Sequence, residues 1–89
     1  MVDGGVNQAS AIAGNAAGLE AFASADPDLS ARLLKQAYRD WSDELGILVN
    51  LGLACMQRGQ PELAQRCYEL AARSSDRRTR RSARKNLGF

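Results

Sequence analysis

Eighty-nine residues, 45% of them hydrophobic and 6% aromatic, suffice for one small domain with a modest core. Twelve Lys and Arg against ten Asp and Glu leave a net charge of +2, and there is no histidine. That absence removes the usual general base near neutral pH and the commonest metal ligand. No apolar run approaches the ~18 residues of a transmembrane helix, so no membrane span is expected.

The first eight residues contain Asp3 and the pair Gly4-Gly5 and lack the basic start and continuous apolar stretch of a signal peptide. They are expected to form a flexible lead-in, on a protein that is cytoplasmic. A first helix is predicted over 9–24. Asp26-Pro27 opens a second over 28–41, because proline at the first helical position gives up an N–H that has no partner there. Ser42-Asp43-Glu44 reads as a cap followed by acids in the first turn, which predicts a third helix over 44–57. Gln60-Pro61 repeats the proline signal for a fourth over 61–74, and a fifth is predicted over 77–87.

These elements fall into two copies of one pattern, offset by 34 residues. Gly18 corresponds to Gly52, Leu19 to Leu53, Pro27 to Pro61, Leu29 to Leu63, Arg32 to Arg66, Ala37 to Ala71 and Arg39 to Arg73. Small or apolar residues also meet at Ala17 and Leu51, Phe22 and Met56, Ser30 and Ala64, and Leu34 and Tyr68. A fixed period of this length marks stacked helix–turn–helix units, and small residues at Gly52, Ala64 and Ala71 let two helices approach closely. The expected fold is therefore all-α: tandem helix–turn–helix repeats over 9–76, about 11–44 and 45–78, then a basic capping helix within 77–89. Leu51, Leu63, Ala64, Tyr68 and Leu70 are assigned to its core. Asn86-Leu87-Gly88 echoes Asn50-Leu51-Gly52 at a spacing of 36, which fits either a cap built like the start of a third unit or a fragment of a longer array.

The second unit carries Leu48, Leu51-Gly52, Gly59, Ala64, Tyr68 and Ala71, and the first carries Gly18, Ser30, Leu34 and Ala37 at the same offsets, with Gly14 in place of Leu48. In these positions the chain resembles the tetratricopeptide repeat family, over roughly residues 11–78. The resemblance implies an α-α superhelix that holds a ligand along a concave surface made by the first helix of each repeat. Carried over by position, that surface is Ile12, Asn15, Ala16, Leu19 and Phe22 from the first unit and Val49, Asn50, Leu53, Met56 and Gln57 from the second. It is mostly apolar and suits an amphipathic helix or extended segment of a partner protein, with Asn50 available to the ligand backbone. Ordinary core is the competing reading for about half of these residues. The family's carboxylate clamp for chaperone tails is not expected, because Asn15, Leu19, Ser82 and Asn86 occupy its other key positions and only Asn50 matches.

Catalytic and metal chemistry find little support. Cys55 and Cys67 read as small hydrophobes inside the second unit, as befits a reducing compartment. Two cysteines without a histidine cannot assemble a closed four-ligand zinc site unless carboxylates join them. No serine sits in a GxSxG turn and no glycine-rich phosphate loop is present. The carboxylates cluster at helix starts, so no catalytic residue, cofactor or metal is expected and the chain is read as a non-enzyme.

Charge is unevenly spread. Up to Asp76 there are six basic residues against all ten acids, whereas Arg77, Arg78, Arg80, Arg81, Arg84 and Lys85 follow with no acid. Three readings fit, in decreasing order of support. The last helix is a cap, with Ala83 and Leu87 sealing the second unit and the arginines solvating its outer face or meeting acidic helices. It is a site for an acidic protein segment. Or it contacts the phosphates of nucleic acid or anionic lipid, although no aromatic interleaves the arginines to stack bases. The function expected overall is a protein-interaction adaptor with an apolar concave groove. The alternatives are binding of an anionic polymer by the basic helix and homo-oligomerisation through the concave face.

Overall fold

Each proline and each polar turn in the chain separates two helices. The computed structural model describes residues 7–88, which are all-α, with no strand among them. Its helices are α1 (Gln8–Ala23), α2 (Pro27–Asp40), α3 (Gly46–Gln57), α4 (Pro61–Ala71) and α5 (Arg77–Leu87). Most of the expected lead-in, residues 1–6, lies outside the described residues. Asn7 caps α1, its side-chain oxygen accepting from the Ser10 N–H at 3.1 Å, and its own N–H donates to the Asp40 carbonyl at 2.7 Å.

Local chemistry explains most helix ends. The Asp26 carboxylate accepts from the Leu29 N–H at 3.2 Å, and Pro27 and Pro61 begin α2 and α4. The turns before those prolines share one geometry: Ala25 has φ 60° and Gly59 has φ 75°, at positions 34 apart. Glycine takes that left-handed conformation freely, whereas alanine bears roughly 1–2 kcal/mol of strain. The third helix starts two residues later than Ser42-Asp43-Glu44 suggests. Ile47 and Leu48 donate to the carbonyls of Glu44 and Leu45 at 3.2 and 3.0 Å, and these i→i−3 bonds make a tight lead-in turn in place of an α-helical one. The same tightening, from Arg73 to Leu70 and from Ser74 to Ala71, ends α4 before residue 74.

The two units are locked in the same way. Leu34 of α2 and Tyr68 of α4, at equivalent positions, each press on a glycine of the preceding helix. A Cβ added to Gly18 would lie 2.8 Å from Leu34 Cδ2, and one added to Gly52 would lie 2.8 Å from Tyr68 Cζ. The matched glycines thus mark where helix backbones approach most closely. Beside the first lock, fully buried Ser30 donates its hydroxyl to the Gly18 carbonyl at 2.8 Å, a bond worth about 1 kcal/mol. Buried Ala64 takes that position in the second unit.

On α4 the buried residues are Ala64, Cys67, Tyr68 and Ala71, a stripe at i, i+3, i+4 and i+7. Leu63 and Leu70 each precede a member of that stripe by one residue, which turns them about 100° away from the core. They are 39% and 44% exposed, so their assignment to the core is corrected. The helix α5 packs chiefly on α4 and also touches α3, with Ala83 fully buried and Leu87 against the core. It ends at Gly88, which has φ 95° and whose N–H donates to the Lys85 carbonyl at 3.1 Å. Asn86-Leu87-Gly88 is therefore a helix end, whereas Asn50-Leu51-Gly52 is mid-helix, and the echo between them is not a structural equivalence. No helix among the described residues is long and apolar enough to cross a membrane.

Candidate partner-binding face

The first helices of the two units adjoin, and Asn50 Nδ2 donates to Asn15 Oδ1 at 2.9 Å across them. Asn50, expected to be available to a ligand backbone, is thus engaged within the fold. Around this bridge the α1–α3 face exposes Ile12 (61%), Leu19 (38%) and Met56 (53%). Ala16 and Gln57 are also exposed, Asn15 and Leu53 are half-buried, and Phe22 is half-buried against the core.

Val49 departs from the expectation. It is buried, at the point where the start of α5 stands opposite the second unit's first helix. What opens there is a cleft of about 440 Å³, whose walls are Val49 and Asn50 on one side and Asp76, Arg78, Thr79 and Ser82 on the other. The Asp76 carboxylate accepts from both the hydroxyl and the N–H of Thr79, at 2.8 and 3.0 Å. Those two bonds, the hydroxyl's first, hold its carboxyl below the usual range, with help from Arg78 and Arg80. The groove is therefore apolar along α1 and polar beside α5. Sequence reasoning missed the polar half, although Asp76 three residues before Thr79 is an N-cap signal.

Two further features border the face. A hollow of about 110 Å³ sits beside Ile12, walled by Trp41, Glu44 and Ile47. Trp41, the chain's one tryptophan, was overlooked, and an amphipathic ring at a helix end was the available signal. Near Met56 a second hollow of about 240 Å³ runs past Gln65 and Tyr68 to Leu87.

The basic residues of α5 divide between two sides. Arg78 faces the cleft, whereas Arg77, Arg80, Arg81, Arg84 and Lys85 line a shallow groove of about 340 Å³. Arg80 is half-buried and donates to the Ser74 carbonyl at 3.1 Å. In the body, Arg58 at the end of α3 pairs with Asp28 of α2 at 2.9 Å.

Cys55 and Cys67 are buried free thiols. Burial, and secondarily the neighbouring Cys55, pushes the Cys67 thiol up from 9.0 to about 11. Burial raises the Tyr68 hydroxyl in the same direction. A folded-state value above the unfolded one stabilises fully below the unfolded value and is lost as pH rises through the folded one. The urea midpoint is therefore expected to hold from pH 7 to about 9 and to fall between about 9 and 11. A midpoint that stays flat through that window would contradict the burial of both groups.

Among the described residues no group of three or more His, Cys, Asp or Glu is placed to hold a metal ion. Set against known proteins, the chain matches no protein-family model, no curated protein and no solved structure.

Proposed function

We propose that the chain is a tetratricopeptide-like scaffold of the cytoplasm that binds a segment of a partner protein along the face shared by α1 and α3. The observation that carries this reading is the presence of Ile12, Leu19 and Met56 in water on the two helices bridged by Asn15 and Asn50. Already partly covered, each such side chain gains roughly 0.6–1.8 kcal/mol when the rest of its surface is buried. Because they stand on packed helices, little backbone entropy is lost on binding. Asp76, Arg78 and Thr79 in the adjoining cleft supply polar groups that fix orientation. The matching partner segment is an amphipathic helix or extended strand, apolar toward α1 and polar toward α5. Two buried, unpaired cysteines accord with a reducing compartment.

The test compares wild type with Ile12→Gln/Met56→Gln, which keeps the net charge and alters only exposed positions, after circular dichroism has shown the variant folded. Both proteins are cross-linked in native lysate and recovered. A protein partner captured by wild type should fall at least tenfold with the variant, as expected for loss of about 1.4 kcal/mol or more. Undiminished capture would overturn the assignment of this face. Recovery of the chain itself as the cross-linked species would replace the scaffold reading with self-association.

A further inference from the structure

We propose that the outer face of α5 is a second, independent site, a strip that binds the phosphate backbone of double-stranded nucleic acid. Its residues fall at i, i+3, i+4, i+7 and i+8, which puts Arg77, Arg80, Arg81, Arg84 and Lys85 along one side of the helix, where they line a common groove. From the first to the last the helix rises about 12 Å. Five cations over that length concentrate positive charge against a polymer that carries one negative charge per ~1.7 Å of duplex axis. Four of the five are arginines, whose planar forks match phosphate oxygens in pairs and keep their charge at any working pH.

The strip is held rigidly. Asp76 caps the start of α5 through Thr79, Arg80 ties the helix to the Ser74 carbonyl, and Ala83 is fully buried beneath it. The rest of the chain up to Asp76 carries an excess of acids, so a polyanion is repelled by the body and approaches through this edge.

The same observations disfavour other anionic ligands. The apolar side of α5, Ala83 and Leu87, already packs on the core, so the helix has no free apolar face to insert into a lipid surface and only its charges would meet one. An acidic protein segment would pair with the same cations but would find no apolar or aromatic anchor to add affinity, because the groove is lined by cations alone. Single strands bind through base stacking, for which the strip offers no aromatic ring.

Fluorescence polarisation with a labelled duplex DNA of random sequence tests this on the full chain, with circular dichroism as the control for folding. About four phosphate contacts predict a roughly 100-fold loss of affinity between 50 and 200 mM salt. Arg77→Gln/Arg81→Gln should lower the slope of log K against log salt by about 2 and weaken binding at least tenfold at low salt. Arg32→Gln/Arg66→Gln removes the same charge from exposed positions on α2 and α4 and should leave the slope unchanged. Three results would each overturn the proposal: no duplex binding at 50 mM salt, equal losses from the two arginine pairs, or tighter binding to polyglutamate or phosphatidylserine vesicles than to duplex. The Ile12→Gln/Met56→Gln variant should bind duplex like wild type, so failure of the strip and failure of the α1–α3 face are read separately.

Discussion

Replacing Leu34 by alanine is expected to lower the unfolding free energy by about 3 kcal/mol. Leu34 is among the largest fully buried side chains, and it fills the space that Gly18 leaves between α1 and α2. Truncation removes its buried methyl groups and leaves a cavity that helix backbones on both sides resist closing. A domain of this length has a total stability of about 4–13 kcal/mol, so a loss of that size leaves the native state marginal. Urea denaturation reads the effect as a lower midpoint at an unchanged slope. A loss under about 1 kcal/mol would show that the first unit collapses around the missing side chain and that the lock is not what holds it.

Gly52→Ala and Gly14→Ala should shift stability in opposite directions, although both replace a glycine inside a helix with a better helix former. At Gly14 the new methyl would meet Ala37 Cβ at 3.4 Å, an ordinary contact, so the gain in helix propensity remains and stability rises by about 0.5–1 kcal/mol. At Gly52 it would collide with the Tyr68 ring, whose Cζ would be only 2.8 Å away. The ring is buried, so displacing it disturbs its packing, and overpacking of about 1–3 kcal/mol outweighs the propensity gain. A net loss of about 1–2 kcal/mol is the expected result. If both substitutions stabilise, the close approach of α3 and α4 described above is wrong.

Gly18 and Gly52 also show why the fold was legible in the sequence. The match between Gly18 and Gly52, and between Leu34 and Tyr68, records a steric lock made twice, and such locks leave a spacing that can be read without coordinates. The prolines and Asp26 announced helix starts for equally local reasons, and α5 occupies the residues expected of it. What failed depended on how helices are turned and on what covers them. Leu63 and Leu70 were assigned to the core on hydrophobicity, but the phase of α4 is set by Ala64 and Ala71, whose small size gives a weaker signal than a leucine. Val49 looked like an open groove residue because nothing in its own helix reveals how deeply it is buried or that α5 will stand opposite it. For Asn50, read as an amide available to a ligand, only the juxtaposition of α1 with α3 shows that Asn15 takes one of its N–H groups. The polar cleft was missed because its walls come from two elements whose proximity is tertiary.

The strongest pairings in the molecule join helices that are neighbours along the chain: α1 with α2, α2 with α3, α3 with α4, and α4 with α5. Bringing such partners together closes loops of only a few residues, and the entropy of loop closure grows with length, so little order must be lost before the first favourable contact forms. Folding is then governed by local collisions of helices on the microsecond-to-millisecond scale typical of low contact order.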